Sequence, residues 1–455
     1  MKRLILQSLI DWKNRKRKPL IIRGARQVGK SYIVKYFGEN YFENYVEINL
    51  EKEPEIIALF KSKKISQIIK LLEIEKNVTI TSGNTLIFLD EIQSCPELFP
   101  LLQYFYEEAA GLHVIAASSL MEFLFEEHTF SMPVGRIEYM YMGPMLFQEF
   151  LAALKQERLI KFLNEYKIPE EIPESIHNKL MDLFKEYIFL GGMPESIASY
   201  LTEKSYRNAE IVKQSIIQTY REDFVKYRKR INYPLMVKVF NKLPLTVGRK
   251  VKYSNIDKEE RSKTISDVLH LFSLARIIYC VKHSSANGLP VGAEIKDKIF
   301  KNIFLDVGLL LSMSGLTYND LVYLDDTELI NSGYISEQVV GQHLLYSQPS
   351  FYLPELFYWM REHKKSSAEV DYIIAERGTV IPIEIKAGKT GTLKSLHQFI
   401  KEKKSSFAVR INNDAPSLVQ ITNKLTTKEQ ITFKLLSIPM YLTGEIRRLI
   451  NENYD

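Results

Sequence analysis

The sequence predicts an α/β protein in which a parallel sheet covered by helices is followed by a helical stretch and then by a second, smaller α/β domain. Three observations carry this reading. Short apolar runs alternate with helical segments up to Ala117; helical periodicity dominates from about Phe150 to Ser312; and after Gly333 the order becomes helix, three strands, helix, strand. At 455 residues the chain is too long for one ordinary core. We divide it at 1–155, 156–325 and 326–455.

An opening helix, Leu4 to Trp12, leads through the basic segment Lys13 to Lys18 into Pro19-Leu20-Ile21-Ile22, a buried-strand signature that ends at Gly24. A helix follows from Lys30 to Phe37. Next come a strand at Tyr45 to Leu50, a helical stretch from Pro54 to Leu72, and a strand at Thr85 to Leu89. Helix Leu98 to Ala110 and the apolar run His113 to Ala117 complete the series. This alternation predicts a parallel sheet with helices on both faces.

The middle region reads as a helical lid and connector, broken at Gly191-Gly192-Met193-Pro194 and at Pro234. Its segments Pro234 to Leu243, Ser254 to Lys258 and Arg261 to Leu274 precede the strand-like run Ile277 to Val281, an order expected of a winged-helix-like module. In the last region a helix from Ile335 to Tyr346 is followed by strands at Leu356 to Glu362, Glu369 to Glu376 and Val380 to Ile385. Helix Thr392 to Lys403 and strand Phe407 to Ile411 come after them.

Composition excludes several classes. With 45% hydrophobic and 25% charged residues the chain is neither disordered nor fibrous. The net charge of +6, from 61 basic against 55 acidic residues, is spread along the chain and permits nucleic-acid contact without demanding it. Cys95 and Cys280 form no CxxC pair, which excludes a disulfide framework or zinc knuckle and fits a reducing compartment. Leu4 to Ile10 carries Gln7 and Ser8 and runs into Asp11, unlike a secretory h-region. No window reaches the roughly 20 apolar residues of a membrane-spanning helix, so a cytoplasmic location without a membrane partner is expected.

The chemistry begins at Gly24-Ala25-Arg26-Gln27-Val28-Gly29-Lys30-Ser31, which satisfies GxxxxGK[ST] between a predicted strand and a predicted helix. Such a P-loop identifies the core as of P-loop NTPase type, with ATP and Mg²⁺ as its cofactors. Gly24 and Gly29 let the loop bend so that backbone N–H groups point inward, and the helix that follows offers its positive dipole end to the phosphates. Lys30 would reach the β and γ phosphates and Ser31 would ligate Mg²⁺. Arg26 and Gln27 hold variable positions, with side chains toward solvent or a partner.

The acidic half of the site is Leu86-Ile87-Phe88-Leu89-Asp90-Glu91, an apolar strand ending in two carboxylates. Asp90 would hold Mg²⁺, and Glu91 would act as general base on the attacking water. Ser118 and Ser119 end the next strand, placed to orient that water or read the γ-phosphate, or else to cap a helix starting at Leu120. Arg136, after Gly135, is a candidate for γ-phosphate contact within the chain or across a subunit interface, or a surface arginine in an ion pair.

The run Arg23 to Ser31, then Leu89-Asp90-Glu91-Ile92-Gln93, then Gly135-Arg136 with Pro144 and Phe147-Gln148-Glu149-Phe150, resembles a family of prokaryotic AAA+ ATPases. The resemblance continues in Tyr187 to Glu195, Asp306-Val307-Gly308-Leu309 and Ile383-Glu384-Ile385-Lys386, and so spans nearly the whole chain. It implies ATP binding and hydrolysis, a winged-helix-like middle, and a C-terminal restriction-endonuclease-like α/β domain similar to PD-(D/E)xK nucleases. One departure is Ala117-Ser118-Ser119, where the family has Gly-Ser-Ser.

In strand Val380 to Ile385, period-2 alternation puts Glu384 and Lys386 on one face, opposite Ile381, Ile383 and Ile385. Asp371 lies on the preceding strand, antiparallel through the turn at Arg377-Gly378, and Glu337 on the helix before the sheet. Glu, Asp, Glu-x-Lys in that order resembles the PD-(D/E)xK set. Asp371 and Glu384 would hold a second Mg²⁺, with Lys386 orienting water or stabilising charge and Glu337 as outer ligand or base. The alternative is a half-exposed hairpin whose solvent face carries alternating charges.

Three functions follow as expectations. The first is an ATP-hydrolysing protein acting on or with nucleic acid such as DNA through its C-terminal domain. The second is a slow nucleotide-controlled switch binding a protein partner, and the third an ATP-gated metal-dependent nuclease. Homo-oligomerisation accompanies any role for Arg136 in a neighbouring subunit.

Overall fold

The computed structural model describes residues 1–61, 64–118, 135–227, 232–323, 333–361, 368–386, 393–426 and 429–454. The chain forms two compact units. The first comprises 1–143 with 274–277 and 348–354; the second comprises 144–273, 278–347 and 355–455.

In the first unit, short runs rich in apolar and β-branched residues become the strands β1 (Leu20–Arg23), β2 (Asn44–Asn49), β3 (Thr85–Asp90) and β4 (His113–Ser118), and the segment Glu138–Tyr141 adds β5. They form one sheet in the order β2-β3-β4-β1-β5, and every neighbouring pair is parallel. The chain leaves β1 for the far edge at β2, steps back through β3 and β4, and then crosses β1 to β5. The reversal at β1 opens a crevice at the carboxyl ends of the strands, where α/β sheets bind ligands. Strands β3 and β4 are buried along their whole length, as a sheet covered on both faces requires. One covering layer packs Ile68, Leu72, Leu102 and Phe105 against Ile48, Ile87 and Val114. The predicted helix from Pro54 is a 3₁₀ segment, Pro54–Lys61, followed by a helix at Ile65–Lys76.

The second unit holds an eight-stranded mixed sheet. Its strands are β6 (Ile278–Ser284), β7 (Ile295–Phe304), β8 (Leu356–Met360), β9 (Glu369–Glu376), β10 (Thr379–Ile385), β11 (Phe407–Asn412), β12 (Ser417–Thr426) and β13 (Glu429–Pro439). Their order is β12-β13-β11-β10-β9-β8-β6-β7. The β9–β10 hairpin turns at Arg377 (φ 52°) and Gly378 (φ 75°), both left-handed as a two-residue type I′ turn requires.

The hairpin expected as the wing of a winged helix is β6–β7, and it does not stand alone: β6 pairs in parallel with β8 and so joins the sheet. Edge strand β7 is closed at its end by a side chain. Gln338, on helix Gly333–Tyr346, accepts from the Phe304 N–H at 2.6 Å and donates to the Phe304 carbonyl at 2.7 Å, satisfying backbone groups that no further strand reaches. Among the described residues, no helix is long and apolar enough to cross a membrane.

Candidate functional site

The loop 24–29 joins β1 to helix Lys30–Tyr41. Its conformation selects its residues. A Cβ at Gly24 would lie 2.1 Å from the Met142 carbonyl oxygen, so only glycine lets the strand end pass that wall. Gly29 has φ 92° and Gln27 φ 63°, the left-handed geometry that turns successive peptides to one side of a loop. Ala25 and Val28 are fully buried and hold the loop down. Arg26 lies 4.0 Å from Glu51, and the Gln27 amide oxygen is buried, which departs from the solvent-facing expectation. The Lys30 ammonium folds back onto the loop, donating to the Gly24 carbonyl at 3.0 Å and the Ala25 carbonyl at 2.8 Å.

Asp90, at the end of β3, is drawn to the same place. The Ser31 hydroxyl donates to its carboxylate, and Lys30 acts on it electrostatically. Asn49, its cross-strand partner on β2, donates at 3.3 Å, and the Glu91 N–H at 3.1 Å. Burial raises the Asp90 pKa and the Glu91 charge adds to this, against the Ser31 hydrogen bond and Lys30. Glu91 sits at φ 52°, with the Gln93 amide donating to its carboxylate. Ser118 is buried in register with Arg23, just before the loop, while Ser119 lies outside the described residues. Arg136 is held at the surface: its Nε donates to Glu107 Oε1 at 2.9 Å, with the side chain 45% exposed.

The loop, Lys30, Ser31, Asp90 and Glu91 therefore converge. Ser31 and Asp90 fit a magnesium ion, because a hydroxyl and a carboxylate already in contact supply hard oxygen donors beside the phosphate loop. Two contributors escaped sequence reading. Arg3 donates to Val28 and Gly143 carbonyls, and Asn49 reaches Asp90 across the sheet; neither belongs to a motif.

In the second unit, Glu337, Asp371, Glu384 and Lys386 form one partly buried cluster, joined by Lys301 and Glu369, in which Glu384 and Lys301 are the buried members. Lys301 Nζ lies 2.7 Å from Glu369, 3.1 Å from Glu337 and 3.9 Å from Asp371. Lys386 pairs with Glu384 at 3.0 Å, and the Ile385 N–H donates to Asp371 at 2.8 Å. Glu384 is 2% exposed, so the half-exposed hairpin is corrected: both faces of β10 are covered. Burial, reinforced by Asp371, pushes the Glu337 and Glu384 carboxyls up to about 8. Burial alone would lower the Lys301 pKa, but Glu337, Asp371 and Glu369 raise it.

The second Mg²⁺ fits less well than the first. Among the described residues no three His, Cys, Asp or Glu side chains are grouped to hold a metal ion. The ammonium groups of Lys301 and Lys386 are the cations that these carboxylates meet.

Residues 16–151 match a family model described as an AAA domain. Residues 181–320 match a domain of unknown function (DUF8612), and residues 332–441 another (DUF4143). No curated protein matches the chain in sequence. The chain is similar to the solved ORC2 protein of Aeropyrum pernix in its ADPNP-ADP complexes, at 10% identity over 69% of this chain and 90% of that one, with a TM-score of 0.33. It is also similar to C. elegans PCH-2, at 14% identity over 56% of this chain and 59% of that one, with a TM-score of 0.21. The AAA-domain match covers the stretch that carries the loop 24–29, Lys30, Ser31 and Asp90, on a parallel sheet with a P-loop NTPase-like core.

Proposed function

We propose that the protein binds Mg²⁺-ATP at the loop 24–31 and hydrolyses it. The observation that carries this is the meeting of Lys30, Ser31 and Asp90 at the carboxyl ends of β1 and β3. Lys30, which rests on two loop carbonyls, would exchange them for β and γ phosphate oxygens. The Ser31 hydroxyl and Asp90 carboxylate would hold Mg²⁺, which supplies charge neutralisation on the phosphates. Glu91 would take the proton of the attacking water, with Gln93 orienting its carboxylate. Ser118 would orient that water, and Arg136 would leave Glu107 to reach the γ-phosphate, in its own site or that of a neighbour in a homo-oligomer.

Phosphate release from Mg²⁺-ATP tests the reading. Lys30→Ala should abolish turnover through lost nucleotide binding, whereas Glu91→Gln should retain binding and slow turnover by about 100-fold or more. Wild-type rates in both variants would overturn it.

The finer reading is that the second unit engages nucleic acid. It is supported by the gathering of Glu337, Asp371, Glu384 and Lys386 in one cluster, in the order that resembles nuclease sets. DNA affinity that falls steeply with added salt is expected; no measurable DNA binding would favour a protein-binding switch instead. Cleavage is the least supported part, because Lys301 already compensates the carboxylates. Incubating DNA with Mn²⁺ and comparing wild type with Asp371→Ala and Lys386→Ala tests it, and equal products from all three would exclude cleavage by this cluster.

A further inference from the structure

We infer that Arg3 is a positioning residue of the phosphate loop, holding the Val28–Gly29 peptide so that the Gly29 N–H faces the place of a bound phosphate; this rests on the nucleotide reading of the loop. Arg3 lies just before helix Ile5–Asn14 and is buried. Its guanidinium spans two segments, with Nη1 donating to the Val28 carbonyl at 2.6 Å and Nη2 to the Gly143 carbonyl at 2.7 Å.

Both ends of that span belong to the loop's frame. Gly143 follows Met142, whose N–H donates to the Arg23 carbonyl at 2.8 Å and whose carbonyl oxygen walls in Gly24. Arg3 thus fastens the crown of the loop to the wall against which its first residue packs. The planar, trans peptide sets the consequence: C=O and N–H point in opposite directions. With the Val28 carbonyl turned to Arg3, the Gly29 N–H is turned away from it, toward the concave side of the loop. Gly29 at φ 92° then starts the helix whose amides share that side.

The charge matters as well as the geometry. A guanidinium on a carbonyl makes a shorter and stronger hydrogen bond than a neutral donor, and it polarises the peptide so that the far N–H carries more positive charge. Arg3 also sets a permanent cation behind the anion site. Lysine cannot reproduce this, because one ammonium does not present the rigid fork that serves two carbonyls from separate segments.

Calorimetric titration of the full chain with Mg²⁺-ADP and Mg²⁺-ATP tests the inference, using wild type, Arg3→Gln, Arg3→Lys and the control Gln7→Ala on the helix that follows Arg3. Arg3→Gln should raise both dissociation constants by about tenfold, Arg3→Lys by less, and Gln7→Ala not at all. A purely structural brace would instead lower the melting temperature while folded protein bound nucleotide as the wild type does. Arg3→Gln that is folded and binds within twofold of wild type overturns the inference and leaves the nucleotide reading standing. Wild type that binds neither nucleotide overturns both. If Arg3→Gln does not fold, Arg3→Lys decides: a threefold or larger rise supports the clamp and unchanged affinity overturns it.

Discussion

The ammonium of Lys301 lies 2.7 Å from Glu369 Oε1, on a lysine side chain only 2% exposed. The same nitrogen is 3.1 Å from Glu337, so one buried cation serves carboxylates from a strand and a helix. Removing one partner of a buried ion cluster leaves the other uncompensated and costs about 3–5 kcal/mol. Lys301→Met should therefore destabilise the second unit by that order, measured from its urea midpoint. It should also create a demand for positive charge. Millimolar Mn²⁺ is expected to raise the melting temperature of Lys301→Met and leave that of the wild type unchanged.

Gly24 is crowded by backbone rather than by a side chain. The Met142 carbonyl that a Cβ would strike at 2.1 Å lies between the Met142 N–H bonded to Arg23 and the Gly143 carbonyl bonded to Arg3, and has little room to retreat. Gly24→Ala should shift the loop, cost about 1–3 kcal/mol and weaken Mg²⁺-ATP binding by more than tenfold. Fluorescence titration with a labelled nucleotide checks the affinity, and urea unfolding checks the stability.

The loop was legible in the sequence because its donors come from contiguous residues. Asp90 and Glu91 were legible because they end an apolar strand. Asn49 was not, since it reaches Asp90 only through parallel pairing of β2 with β3. Lys301 was hidden for a related reason. It lies on β7, in a stretch read as helical, and meets Glu369 of β9 only after β6 and β8 assemble between the two strands. Alternation along β10 gave the shared face of Glu384 and Lys386, but period 2 does not tell whether that face meets water or protein. Strand β5 is four residues long, too short for any periodicity, and the β12–β13 hairpin followed the last strand that was read.

His343 gives the second unit an acid limit. Its Nε2 accepts from the Phe147 N–H at 3.2 Å, which leaves Nδ1 as the donor to the Val339 carbonyl at 2.8 Å. Both nitrogens are used by the neutral ring, and burial lowers its pKa to about 4. In the unfolded chain the ring takes its proton near 6.5. Unfolding is therefore favoured as pH falls from about 6.5 to about 4, by about 3 kcal/mol in full, with no further loss from this residue below that. Urea midpoints for the second unit at pH 7 and 4.5 measure the slope. His343→Gln, which does not titrate, should flatten this part of it.

Asp306 is fully buried and N-caps helix Val307–Met313 through the Leu309 N–H at 3.1 Å, while its other oxygen accepts from the Gly192 N–H at 2.6 Å. Gly191 makes that approach possible. It sits at φ 74°, and a Cβ there would come within 2.2 Å of Asp306 Oδ1 and 2.8 Å of Gly308 Cα. Burial raises the Asp306 pKa, opposed by these donors and by the charge of Lys213, which is itself fully buried and bonded to the Phe189 carbonyl at 2.8 Å. Asp306→Asn keeps one acceptor where two backbone donors converge, so an N–H must face an N–H. It also removes negative charge from the neighbourhood of Lys213. We expect a loss of about 3 kcal/mol. Lys213 keeps its ion pair with Glu210 at 2.9 Å and loses only the charge of Asp306, so adding Lys213→Met to Asp306→Asn should cost less than the sum of the two single substitutions, by about 0.5 kcal/mol. Strict additivity in denaturant unfolding of the four proteins would mean that the aspartate acts as a cap alone.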